Sequence, residues 1–478
     1  MYLGIDLGTT SLKVLLVSAK GELLDSASSS YQSFYPESHF SEQEPDDWIK
    51  AFLDNLVKIG EKHNLKNIKA ISFCGQMHGL VMLDSKDSVI RPAILWNDNR
   101  SFAECDYLNN TIGKDRLISY TGNIAFTGFT APKLLWVKRN EPQNFRKISK
   151  IMLPKDYLSY KITNIFASDV SDSSGTLYFD VKKRRWSREM LDILDINLNQ
   201  LPKIYESYEI IGNVSEKFAA ISGLSTNTKV VIGGGDQAVG AIGAGVVTNG
   251  DCNISLGTSG VMFVSSDSYV ENKEGNIHSF CHANGKYHAM CVMLAAAGSL
   301  HWWSQNISQT NVEVLIDEAK TSMDDSIIYL PYISGERSPI NDPLAKGMIC
   351  GLTSSHKRND ITKAILNGVN LAFLDCKESM KFLNVDINSA TVIGGGAKSD
   401  FWISTLSDVL KVDISTVNVT DGGCFGAAIL AMVGNKEYKT VEEAVRKLVK
   451  IQNSYHFTDR DYTNQYKEFK KLYLQTKN

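Results

Sequence analysis

The chain has 478 residues, 43% of them hydrophobic and 22% charged, with only 10 prolines. That suffices for two large domains with real cores and is unlike a disordered or fibrous composition. The 50 basic and 53 acidic residues give a formal charge of −3, and without a long basic stripe this argues against nucleic acid or an anionic membrane as the main partner. The eight cysteines (Cys74, Cys105, Cys252, Cys281, Cys291, Cys350, Cys376 and Cys424) are scattered without a CxxC pair. They form neither a disulfide framework nor a zinc ribbon, and suit a reducing cytosol.

Met1 leads straight into a strand-like run, so no cationic, cleavable leader is expected. The longest apolar run, Ala289 to Leu300, is too short to span a bilayer. A cytoplasmic protein is the expectation.

In chain order, Tyr2 to Ile5 and Leu12 to Val17 read as strands flanking the turn Asp6-Leu7-Gly8-Thr9-Thr10-Ser11, and Lys20-Gly21 turns into a third strand. Ile68 to Phe73 and Ile90 to Leu95 read as strands that deliver Gly75-Gln76-Met77-His78-Gly79 and Trp96-Asn97-Asp98-Asn99-Arg100 at their ends, where α/β proteins place ligands. Val231-Ile232-Gly233-Gly234-Gly235 then runs into a helix opened by Asp236-Gln237. Cys252 to Leu256 and Val261 to Val264 flank a second turn, Leu256-Gly257-Thr258-Ser259-Gly260, and Val392-Ile393-Gly394-Gly395-Gly396 leads to a helix capped by Ser399. Two patterns thus each recur in the same order, which predicts two related α/β domains joined near residues 240–250. Tyr462, Tyr466, Phe469 and Tyr473 have helical spacing and predict a final helix packed on the body.

No GxxxxGK[ST] loop and no GxGxxG in a strand-to-helix setting is present. If ATP binds, the two Gly-Thr turns are the cradle: their backbone N–H groups approach phosphate oxygens, Thr9, Thr10 and Thr258 add hydroxyl donors, and Lys13 adds charge. Asp6, before the first turn, is placed to hold Mg2+, directly or through water, or simply to cap its own turn. Asp236 opens a helix whose partial positive charge is expected to keep it ionised, as a base toward an alcohol must be; an ordinary N-cap is the equal alternative. Trp96, Asp98, Met77 and His78 suit a polyol, although Trp96 and His78 taken singly are more often packing residues. His278, Cys281, His282 and His288 lack the spacing of a structural zinc module and read as strand.

Together these residues resemble the FGGY carbohydrate kinase family. Gly128-Phe129-Thr130-Ala131-Pro132-Lys133-Leu134-Leu135-Trp136-Val137 is similar to its first signature, with a Lys-x-x-Trp core, and Gly347 through Gly351-Leu352 to Ala364-Ile365 resembles the second. Leu153-Pro154-Lys155-Asp156-Tyr157-Leu158, Ala167-Ser168-Asp169 with Ser171-Asp172, His278-Ser279-Phe280-Cys281-His282 and Ser334-Gly335-Glu336-Arg337-Ser338-Pro339 look most like the branch acting on D-xylulose.

The resemblance implies an α/β fold of two actin/hexokinase-like (ribonuclease H-like) ATPase domains with a central cleft. Residues 1–245 would bind sugar and carry the base, and residues 246–478 would bind ATP. It implies transfer of the ATP γ-phosphate to D-xylulose, as part of pentose catabolism, with Asp236 as catalytic base and Asp6 at the metal–phosphate region. Met77, His78, Trp96, Asp98 and Gln237, beside Asp6 and Asp236, would line the sugar. Gly257 and Thr258 would contact phosphates, and Gly395, Gly396 and Asp400 would lie near the adenosine. Glycerol kinases, which resemble this chain, carry a tyrosine at Gly128 and an Arg-Glu pair at Met77-His78, so more room for a longer sugar is expected here. The weighed alternatives are a sister kinase for ribulose, a deoxyketose, gluconate or glycerol, a non-transferring actin-like ATP switch, and a non-catalytic sugar sensor. By family analogy two copies are expected to pair.

Overall fold

The computed structural model describes residues 1–381, 384–419 and 421–477. Two mixed sheets organise it. The first body contains β1 (Tyr2–Leu7), β2 (Ser11–Val17), β3 (Leu23–Ser30), α1 (Pro45–Gly60), β4 (Ala70–Gly75), α2 (Thr130–Asn140), β5 (Ile210–Asn213), β6 (Lys229–Val231) and α3 (Asp236–Gly243). Its strands run in the order β5-β6-β4-β1-β2-β3, with Gly234–Gly235 added alongside β4. β1 pairs antiparallel with β2 and parallel with β4.

The second body repeats this plan with β7 (Asp251–Leu256), β8 (Gly260–Ser266), β9 (His278–Cys281), β10 (Tyr287–Met293), α4 (Arg358–Lys381), β11 (Ser389–Ile393), α5 (Asp400–Leu410), β12 (Ile414–Val417), α6 (Gly422–Gly434), β13 (Ile451–Tyr455) and α7 (Thr463–Gln475). The order is β9-β10-β8-β7-β11-β12-β13, with β7 antiparallel to β8 and parallel to β11. The duplicated Gly-Thr turns therefore occupy the same station, the hairpin off each central strand.

The duplicated glycine triplets do not. Val231 lies on β6, two strands from the central β1, whereas Val392-Ile393 lie on β11, directly beside the central β7. Gly394 to Gly396 thus match the end of β4, with its Gly75-Gln76-Met77-His78 sequence, and Asp236 matches the start of α6. The repeat reading was misled because apolar strand, glycines and helix recur at every crossover of an α/β sheet.

β1 is buried on both faces apart from the partly open Asp6, which explains why that aspartate is its only charged residue. On one face Leu3, Ile5 and Leu7 join Trp48, Phe52 and Leu56 of α1. On the other, α6 crosses from the second half and lies so close that a Cβ on Gly4 would fall on the Cys424 carbonyl. α3 and α6 are equally close, since a Cβ at Gly426 would meet the Val239 carbonyl. These small-residue approaches fix the N-termini of both helices beside the central turns.

The final helix is as expected: Phe469 and Tyr473 are buried, and the Tyr466 hydroxyl donates to Asp375 Oδ1 at 2.7 Å. No helix among the described residues is long and apolar enough to cross a membrane.

Candidate active site

Asp6 near the end of β1 and Asp236 at the start of α3 are brought into each other's electrostatic range. Burial pushes the Asp236 carboxyl up to about 7, with the charge of Asp6 as the second cause. Asp6 itself is pushed up to about 6, again chiefly by burial. This reverses the expectation that the helix N-terminus would keep Asp236 fully ionised. The rise from 3.8 to about 7 corresponds to about 4 kcal/mol, against about 0.3–1 kcal/mol for a helix N-terminus. The backbone N–H of Gln237, which donates to Asp236 Oδ1 at 2.7 Å, offsets only part of it. Gly423 leaves the carboxylate room, since a Cβ there would stand 2.8 Å from Asp6 Oδ2.

Met77 and His78 emerge after β4. Met77 packs under Gly235, where a Cβ would come within 2.9 Å of its Cγ, so it abuts the residue preceding Asp236. His78 holds a left-handed backbone, φ 67°, which a branched or bulky residue adopts only under constraint. Its carbonyl accepts from Thr130 Oγ1 at 3.1 Å and Lys133 Nζ at 3.0 Å, and its Nδ1 lies 2.8 Å from the Gly175 carbonyl. Burial and the nearby Lys133 charge push the imidazole down to about 3. It is therefore neutral, with the proton on Nδ1 to satisfy that carbonyl and Nε2 left as an acceptor.

Trp96 and Asp98 part company. The exposed Trp96 indole donates to Thr9 Oγ1 at 2.9 Å, tying the aromatic platform to the first turn. Asp98 has no exposed surface: Oδ1 accepts from Arg100 N at 2.9 Å, and Oδ2 from Arg100 Nη2 at 2.7 Å and Ser41 N at 2.6 Å. Its expected place among the sugar ligands is corrected on this ground, because every acceptor direction is spent on shaping the loop.

Around the second turn, Gly257 and Thr258 carbonyls accept from Ala297 N at 2.8 Å and Ala296 N at 2.9 Å, while Thr258 stays exposed. Gly394 has φ 95°, and a Cβ there would crowd the Leu256 carbonyl and Gly257 N at 2.9–3.1 Å, so this glycine backs directly onto the Gly257 turn. Gly395 faces open space, whereas Gly396 is packed against Leu256 and Trp402. A cavity of about 560 Å³ opens here, lined by Gly394, Asp400, Thr416, Gly422 and Tyr455 among others. Asp400 opens α5 and accepts from the Tyr455 hydroxyl at 2.5 Å. Lys13 pairs with Asp421 at 3.0 Å, linking the first turn to the start of α6.

The arrangement matches known proteins along its whole length. Residues 1–243 match the N-terminal domain, and residues 252–434 the C-terminal domain, of the FGGY family of carbohydrate kinases. The chain belongs to this family. It is 41% identical to a xylulose kinase of Escherichia coli K12, over 99% of both chains. Among solved structures, a kinase of Brucella ovis described as a "xyloylose kinase" superposes with TM-score 0.95 at 36% identity, covering 100% of this chain and 99% of that one. A gluconate kinase of Lactobacillus acidophilus superposes at 0.93 with 25% identity, covering 100% and 97%. This FGGY enzyme is accordingly an ATP-dependent carbohydrate kinase.

The family signature gains a physical reading. Lys133 and Trp136 lie one turn apart on one side of α2. The fully buried Lys133 ammonium donates to the carbonyls of His78 at 3.0 Å and Gly128 at 2.7 Å, and Trp136 stacks beneath the Arg100 guanidinium at 4.9 Å. One helix face thus anchors both the loop after β4 that carries His78 and the loop that carries Asp98 and Arg100. A second support was present in the sequence only as unassigned motifs. Lys155 Nζ binds Asp156 Oδ1 at 2.6 Å and Asp169 Oδ1 at 2.8 Å. Ser171 Oγ donates to Asp169 Oδ2 at 2.5 Å and accepts from Gly235 N at 3.1 Å, fixing the backbone just before Asp236.

Proposed function

We propose that this kinase transfers the γ-phosphate of ATP to the terminal hydroxyl of D-xylulose, giving D-xylulose 5-phosphate and ADP. The observation that carries the chemistry is the pair Asp6–Asp236, two enclosed carboxylates at the ends of β1 and β6–α3, each titrating above its ordinary range. The identity of the ketose rests on the 41% identity to a xylulose kinase over nearly all of both chains.

In this reading Asp236 orients the sugar hydroxyl and takes its proton late, as phosphoryl transfer is governed by positioning and charge neutralisation. Met77, His78, Trp96 and Gln237 line the ketose, with His78 Nε2 accepting from a sugar hydroxyl. Thr9, Thr10, Lys13, Gly257 and Thr258 hold the phosphates, and Gly395, Gly396 and Asp400 border the adenosine.

Two carboxylates that burial holds above their ordinary range, with the charge of Asp6 adding to the rise at Asp236, fit a neighbouring divalent cation. Among the described residues no group of three or more His, Cys, Asp or Glu could hold one unaided, so phosphate and water oxygens would complete its shell. When bound, Mg2+ would neutralise phosphate charge; Asp6 would hold it directly or through water, and its presence would keep Asp236 ionised. Cytoplasmic action and pairing of two copies belong to the same proposal.

The test is ADP release with Mg-ATP against D-xylulose, D-ribulose, L-xylulose, L-ribulose, glycerol and gluconate, with a sugar-free control. Selective turnover of D-xylulose is expected. Preference for gluconate would keep the fold and both aspartates but overturn the assignment of specificity. ADP release indifferent to sugar would overturn the transfer reaction.

A further inference from the structure

A second cavity, of about 640 Å³, opens between the two bodies. The first body contributes Asn99, Phe126 and Thr127, and the second contributes Leu294, Glu336 and Arg337. A run of packed rings connects it to the side of the cleft proposed to hold the sugar. Phe126 contacts Phe129 at 5.4 Å, Phe129 contacts His78 at 4.7 Å, and Met77 beside it packs under Gly235, next to Asp236.

In this cavity the Arg337 guanidinium and one oxygen of Glu336 lack protein partners among the described residues. The Arg337 guanidinium lies 5.5 Å over the Phe126 ring and makes no side-chain hydrogen bond or ion pair among the described residues. Glu336 is 2% exposed; its Oε1 accepts from Leu294 N and Arg337 N, both at 2.8 Å, while Oε2 has no partner. Buried polar atoms are rarely left unpaired, so Glu336 Oε2 calls for a polar ligand, and the half-buried Arg337 guanidinium faces the same cavity. The loop is built to hold this pose, because the Glu336 carboxylate braces the backbone that presents Arg337. Burial also pushes Glu336 up to about 8, leaving a neutral acid able to donate where Arg337 donates too. The positive charge of Arg337 is near enough to His78 to help keep its ring neutral.

We propose that Arg337, with Glu336, forms a subsite of the second body that binds the oxygen atoms at the end of the ketose remote from the transferred hydroxyl. This rests on the ketose-kinase reading above. A sugar whose reactive end lies at Asp236 and whose middle passes Met77 and His78 directs its far end toward Phe126 and Arg337. Both donors then match acceptor oxygens, and substrate itself bridges the two bodies. Sugar binding and closure of the cleft become one event.

The test is steady-state kinetics of the full chain with Arg337→Ala and Arg337→Lys. Arg337→Ala should raise the KM for D-xylulose about tenfold to a hundredfold, the size of one lost charged hydrogen bond. KM for ATP, sugar-free ATP hydrolysis and Tm should stay at wild-type values, and Arg337→Lys should recover part of the loss. A merely structural arginine would instead lower Tm and move both KM values together, which would overturn the subsite. An active Arg337→Ala enzyme with unchanged sugar KM would overturn it too, leaving the ketose reading intact. Wild-type protein that turns over no ketose would overturn both.

Discussion

The two halves share one topology and have divided the chemistry between them. Asp6 near the end of β1 corresponds to Ser255 in β7, each two residues before the turn glycine, and Lys13, which pairs opposite Asp6, corresponds to Val261, which pairs opposite Ser255. At the next strand, the first half has Met77 and a strained His78, and the second has the glycines 394–396. At the third station Asp236 opens α3, while Gly422 opens α6. The first half has concentrated enclosed charge and shaped side chains; the second has stripped side chains away and left backbone. A scaffold that places three strand ends around one cleft decides where chemistry happens, and the residues at those ends decide what it is.

This contrast can be broken most severely at the charged end. Asp236→Asn should lower kcat by about 10³–10⁴ while KM for D-xylulose stays within about threefold, since binding is spread over several residues. Near-wild-type kcat in that variant would remove Asp236 as the base. The glycine side should respond more mildly and in the other substrate. Gly394→Ala, which forces a Cβ onto the Leu256 carbonyl at φ 95°, should raise KM for ATP about tenfold. Gly395→Ala, whose Cβ meets nothing within 4 Å, should leave it unchanged; equal effects would show that the backbone path is not what the nucleotide reads.

The smallest effect concerns stability. The folded-state pKa of Asp236 is raised above its unfolded value, so its favourable contribution is present below about pH 4 and lost as pH rises through about 7. Asp236→Asn should therefore raise Tm by about 2–4 °C at pH 8, with less gain at pH 5. A stabilisation that does not depend on pH would contradict the buried-charge account.

Much of this was legible in the sequence because the Gly-Thr turns are local: strand, glycine turn and strand lie within a dozen residues. Asp6 and Asp236 each stand out in the sequence, one before the first turn and one opening a helix, but nothing local joins them as a pair. What was not legible depended on contacts far apart in the chain. The direction of the Asp236 shift comes first from burial against elements distant in the chain and second from Asp6, 230 positions away. Asp98 looks like a ligand in sequence because its tight turn back onto Arg100 and Ser41 appears only in three dimensions. The glycine triplets misled because a local pattern carries no record of which strand it ends. Lys133 and Trp136 showed their helical spacing, yet not that the same face holds both the His78 and Arg100 loops.

The most direct test of the central claim, that an enclosed Asp6–Asp236 pair supplies the base, is the pH dependence of kcat/KM for D-xylulose. Measured with Mg-ATP well below its KM, it reports the groups of the enzyme before the cation binds. The lifted Asp236 predicts a plateau above about pH 7 and a tenfold fall for each unit below it. A flat profile from pH 5.5 to 8 would contradict the account, for it would place the base near an ordinary carboxylate value and remove the enclosed pair as the source of the chemistry.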